Sequence, residues 1–158
     1  MRDDVEHLLQ RFSEILTRKL TLLRSIRTEE NNGRYYLTCG DLDRLASSIE
    51  TCSELVIEID ALDYDASGTR SALARTLGVP EESLVAFLRS SGEESALKTV
   101  SLLSIIAAQT RALAPEHERL LALMEAKRVE MEREKRSLES FGRVLGAGEI
   151  KGRRDSSS

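Results

Sequence analysis

LDRLASSIETCSELVIEI, residues 42–59, places Leu42, Leu45, Ile49, Cys52, Val56 and Ile59 at alternating steps of three and four. The mean step of 3.5 residues is the repeat at which an α-helix keeps one apolar row turned toward a neighbouring helix. A half-buried strand would alternate every second residue, and this stretch does not. Leu55 and Leu62 widen the apolar face, and Cys39-Gly40-Asp41 precedes it with a turn glycine and an aspartate able to cap a helix. The spacing predicts a helix over about 41–63, with Cys52 as a small core residue.

The same repeat appears upstream. Val5, Leu8, Phe12, Ile15, Leu22 and Ile26 form a row in which Lys19 fills the one missing position, and Leu9, Leu16 and Leu23 widen it. A helix is predicted from residue 2 to about 31, where Asn31-Asn32-Gly33 stops or frays it, and Tyr35, Tyr36 and Leu37 form an apolar connection. Two such rows joined by about ten residues predict an antiparallel hairpin over about 2–63.

Downstream the pattern loosens. Ser67-Gly68, Gly78-Val79-Pro80 and Ser90-Ser91-Gly92 divide residues 64–92 into two short helical pieces of a connector. Pro80 suits a first helical turn, and Glu81 and Glu82 after it suit the positive end of the helix dipole. Residues 93–145 read as a long C-terminal helix, first through Leu97, Val100, Ser104, Ala107 and Thr110. Pro115 removes a helical hydrogen bond, so the helix is expected to be kinked or broken there. Beyond it Leu120, Met124, Met131, Leu138, Phe141 and Leu145 share a row with Lys127 and Glu134. Residues 146–158, with three glycines and a terminal Ser-Ser-Ser, are expected to be a disordered tail on a single helical domain spanning 1–145.

Composition agrees with this reading. Leu, Glu, Arg, Ala and Lys supply 80 of the 158 residues, a share that marks long helices or coiled coil. With 2 Pro, no Trp, 3 Phe and 3 Tyr, the chain lacks what sheet sandwiches and barrels draw on. The expected fold is therefore all-α, an elongated antiparallel helical bundle or coiled coil. The net charge of −4 comes from interspersed signs, with no one-signed basic face for nucleic-acid phosphates. No apolar run approaches the roughly 20 residues of a membrane span, and Arg2, Asp3, Asp4 and Glu6 stand where a signal peptide would be apolar. These features point to a cytoplasmic protein without stable membrane insertion. Cys39 and Cys52 are 13 positions apart. On one helix they would be roughly 20 Å apart, too far for a disulfide.

Catalytic patterns are missing. His117-Glu118 has no second histidine four residues on, so zinc-protease spacing fails, and a phosphate-carrier histidine is disfavoured by the residues after it. Asp63, Asp65, Ser67 and Gly68 imitate the start of a calcium loop whose twelfth position is Ala74 instead of glutamate. There is no CxxC pair, phosphate-binding glycine loop or nucleophile elbow. No catalytic residue, metal site or cofactor is expected.

What remains is a surface. A first helix of about 30 residues spans roughly 45 Å, whereas residues 93–145 would span roughly 80 Å if continuous. The hairpin cannot cover both halves of the long helix. Leu120, Met124, Met131, Leu138 and Phe141 are accordingly the candidate partner-binding residues, their methionines suited to adaptable helix packing. The alternatives are that this stripe folds onto its own bundle or forms a homodimeric coil.

At this point the chain resembles the FlgN-type flagellar export chaperones. The resemblance lies in the Leu-rich first helix with Leu20-Thr21-Leu22-Leu23, the opening Gly40-Asp41-Leu42-Asp43-Arg44-Leu45 of the second, and the long C-terminal helix ending in a charged amphipathic stretch. It covers about residues 5–145. It implies a cytoplasmic, non-enzymatic chaperone that binds the C-terminal helices of hook-filament junction (hook-associated) proteins, prevents premature assembly and aids type III export, with export-apparatus components as further partners. The alternatives are another helical secretion chaperone or adaptor, or a structural homodimeric coiled-coil protein.

Overall fold

The computed structural model describes the backbone of residues 2–156 and the side chains of residues 2–146. Four α-helices follow one another: α1 (Asp3–Cys39), α2 (Leu42–Leu77), α3 (Leu84–Ser91) and α4 (Glu94–Ser156), with one 3-10 turn at Glu81–Ser83. The protein is all-α, with no strand among the described residues. The chain divides into two units, Met1–Glu118 and Arg119–Ser158.

In the first unit α1 and α2 form the expected antiparallel hairpin, but the turn has only two residues. Gly40 takes φ 74°, a conformation that costs glycine nothing, while the backbone N–H groups of Gly40 and Asp41 donate to the carbonyls of Leu37 and Tyr36. The Asp41 carboxylate then accepts from the Arg44 backbone N–H at 3.2 Å and starts α2. Register is held by Arg2 to the Thr76 carbonyl, Arg18 to Glu58 and Ser48 to the Glu29 carbonyl. Lys19, the exception in the apolar row, lies 2.6 Å from Asp63 on α2. Its charge is answered where an apolar residue would otherwise be needed.

Both hairpin helices run longer than the sequence pattern suggested. Asn31, Asn32 and Gly33 lie inside α1, because Glu30, Gly33 and Leu37 continue the buried row and packing outweighs weak local propensity. Likewise Ser67-Gly68 lies inside α2, where Thr69, Leu73 and Ala74 prolong the buried face to Leu77. Only the second piece of the expected connector stands apart. Pro80 precedes the 3-10 turn and α3, whose Leu84 and Leu88 are buried.

Three pairs set α4 beside α1: Ser95 to Glu6 at 3.0 Å, Arg27 to Glu116 at 3.1 Å, and His117 to Glu30 at 2.6 Å. The partners are separated by 89, 89 and 87 residues, and so nearly constant an offset means that the two helices run parallel. The core gathers Leu9, Phe12, Leu16 and Leu23 of α1, Ile59 and Leu73 of α2, Leu84 and Leu88 of α3, and Ala96 and Ile106 of α4. Each fully buried Leu or Phe contributes about 1.5–3 kcal/mol.

The apolar rows are shifted in detail. In α1, Val5, Phe12, Leu22 and Ile26 of the expected row are buried together with Leu9, Leu16 and Leu23 beside it, while Leu8 and Ile15 are half-buried. In α2, Leu45 and Ile59 are buried and Cys52 half-buried, but Leu42, Ile49 and Val56 are exposed. Before Pro115 the buried residues of α4 are Ala96, Thr99 and Ile106, one step from the expected row, of which Leu97, Ser104, Ala107 and Thr110 are exposed. Small residues tolerate either face, so Ala96 and Thr99 could not be ranked above Ala107 and Thr110 by hydropathy alone. Pro115 lies inside α4, so the helix does not end there. The helical backbone also continues to Ser156, past the start of the expected tail. Ala147, Glu149 and Lys151 between the three glycines and Arg153 and Arg154 after them are good helix formers, and no proline intervenes. Ser157 and Ser158 lie outside the described residues.

Candidate partner-binding surface

The second unit consists of the distal part of α4 from Arg119. Its sequence alternates apolar seam and charged flank. On the flank, Arg128 reaches Glu125 at 2.7 Å and Glu132 at 2.5 Å, pairs of the i,i+3 and i,i+4 type that support an exposed helix. The Arg128 guanidinium holds the Glu125 carboxyl below its usual range, first through the hydrogen bond and then through its charge. Lys127 approaches Glu130 at 3.6 Å. These pairs tie the flanking charges to one another.

Along the seam the five candidate residues are not equivalent. Leu120 is buried, with 6 % of its surface exposed, and Met124 is half-buried. Met131, Leu138 and Phe141 are open to solvent at 42 %, 71 % and 63 %. Leu145, four residues beyond Phe141, and Val144 are exposed with them. Val144 lay outside the heptad row and was missed, although its place between Phe141 and Leu145 in an apolar cluster was a usable signal. An exposed row of this size on a helix needs an explanation that a scattering of single apolar residues does not.

The first unit offers less. A cleft of about 510 Å³ is lined by Phe12, Leu16, Leu103 and Ile106 together with Lys19 and Asp63. Its central charges already satisfy each other at 2.6 Å. Asp63, Asp65 and Ser67, which imitate a calcium loop in sequence, lie within about one turn of α2, where helical geometry turns Asp65 away from the face shared by Asp63 and Ser67. Among the described residues no group of three or more His, Cys, Asp or Glu side chains could hold a metal ion. Cys39 is exposed and Cys52 half-buried, both free thiols on different helices. No helix among the described residues is long and apolar enough to cross a membrane.

A second polar feature escaped sequence reading. Glu30 is buried, with 5 % of its surface exposed, and meets His117. Its position four residues after Ile26, on the buried row of α1, was the signal that could have found it. No protein-family model matches this chain, and no curated protein and no solved structure matches it.

Proposed function

We propose that this protein is a cytoplasmic flagellar export chaperone of the FlgN type, whose distal α4 covers the amphipathic C-terminal helices of hook-filament junction proteins before export. The observation that carries the reading is the exposed row Met131, Leu138, Phe141 and Leu145 on a helix that continues beyond the first unit. The resemblance in Leu20-Thr21-Leu22-Leu23 and in Gly40-Asp41-Leu42 supports the family. An amphipathic client helix left alone exposes the stripe by which it polymerises, and packing a second helix along that stripe hides it. Seam charges at Lys127 and Glu134 keep such a complex weaker than an all-apolar zipper, which suits a client that must be released.

The test is calorimetric titration of the full chain with a purified hook-filament junction protein, beside the variant Leu138→Asp with Phe141→Asp. Each buried side chain contributes about 1.5–3 kcal/mol, so the double variant is expected to lose at least about a hundredfold in affinity with unchanged helicity. Absence of binding by the unaltered chain, or full binding by the double variant, would refute the proposal.

A further inference from the structure

Resting on the reading of distal α4 as a docking surface, we propose that its occupant is a helix of a different chain bearing two seam residues of opposite charge seven positions apart. The acidic one lies against Lys127 and the basic one against Glu134. Met124, Lys127, Met131, Glu134, Leu138 and Phe141 follow one another at steps of three and four without a break, so both charges stand on the face that a partner helix must cover. Among the described residues Glu134 makes no ion pair or hydrogen bond, and Lys127 only the 3.6 Å approach to Glu130. Arg128 on the flank is committed to Glu125 and Glu132. A purely apolar partner would strip water from both seam charges and give nothing back, a cost that removes the gain from the neighbouring Met and Leu contacts.

A second copy of this chain answers them no better. A parallel, in-register pair sets Lys127 against Lys127 and Glu134 against Glu134. An antiparallel pair sets the Lys127–Glu134–Phe141 row against the Met124–Met131–Leu138 row, so each charge meets an apolar side chain. A parallel pair slipped by one heptad does bring Lys127 to Glu134, but that contact has no two-fold axis and propagates instead of closing. Charge complementarity therefore selects a heterologous helix, and in either strand direction it requires one acid and one base on the same row, one heptad apart.

The experiment uses the full chain and synthetic amphipathic helices of about four heptads with leucine seams. Two central seam positions carry Glu and Lys in either order, Glu and Glu, or Lys and Lys. The unaltered chain is expected to bind one of the mixed peptides at least about tenfold more tightly than either like-charged peptide. Lys127→Glu should move the preference to the Lys/Lys peptide, and Glu134→Lys should move it to the Glu/Glu peptide, each variant keeping its helical signal. Equal binding of all peptides, or a preference that the substitutions do not move, overturns the charge code while leaving the docking surface in place. Failure to bind any peptide overturns the docking surface as well, and a stable dimer of the unaltered chain in sedimentation overturns the choice of occupant.

Discussion

His117 on α4 places Nδ1 2.6 Å from Oε1 of Glu30 on α1. The ring nitrogen and the carboxyl oxygen thus share one hydrogen bond across the two helices. The other oxygen, Oε2 of Glu30, is buried without a partner, as is Oε2 of Glu116, whose Oε1 accepts from Arg27. Two half-satisfied carboxylates thus join the Ser95–Glu6 hydrogen bond in fastening α4 to α1 by polar contacts.

That pairing makes stability asymmetric to substitution. His117→Ala leaves Glu30 buried with neither oxygen answered and is expected to lower stability by about 1–3 kcal/mol. Glu30→Met removes the buried charge along with its unmet oxygen, and is expected to be neutral or stabilising. Urea melts of the two variants check the contrast. Equal losses from both would show that the hydrogen bond itself, and not the stranded carboxyl oxygens, carries the energy.

Cys52 supplies a prediction in pH. Burial, aided by the charges of Glu30 and Glu29, pushes its thiol up to about 11. The folded state therefore retains the proton after the unfolded chain has lost it. Stability is unaffected below the ordinary thiol range near 9 and falls as the pH rises from there through about 11. In a Cys39→Ser background, alkylation of Cys52 should be slow at neutral pH and climb with a midpoint near 11. A midpoint at the ordinary thiol value would contradict it.

Two glycines should respond in opposite directions. Gly40 sits at φ 74° in the hairpin turn, so Gly40→Ala forces a side chain into the left-handed region and should cost about 1–2 kcal/mol. Gly68 lies within α2 with open space around it, so Gly68→Ala should stabilise by about 0.5–1 kcal/mol. Thermal melts of the pair give the sign of each.

Pro115 has no N–H to offer the carbonyl of Arg111, one turn earlier in α4. Pro115→Ala restores that bond and is expected to raise helicity and stability by up to about 3 kcal/mol. A falling melting temperature would show that the proline's geometry is required.

The helix class and the hairpin were legible because two heptad rows repeat almost without fault. Gly40-Asp41 was recognisable as a turn and cap because positive φ and an N-terminal carboxylate each favour one residue type. The ends of α1 and α2 were not, since Asn32-Gly33 and Ser67-Gly68 are weak helix formers that tertiary packing overrides. The stripe beyond Pro115 was readable as a row, but not which members are open. Leu120 and Leu138 are the same residue type on the same face, and only the structure separates the buried one from the exposed one.

The parallel course of α1 and α4 also fixes an order of events during folding. The hairpin closes across two residues, whereas the contacts of Glu6, Arg27 and Glu30 with α4 must wait for chain 87–89 residues later. At synthesis rates of about 5–20 residues per second, the roughly 40 residues between the end of α2 and His117 take about 2–8 s to appear. During that interval the hairpin lacks Ala96, Leu103 and Ile106 of α4, which complete the core beside Leu9, Phe12 and Leu16. The nascent hairpin therefore carries an apolar edge into the wait for its third helix, the state in which half-made bundles are open to aggregation.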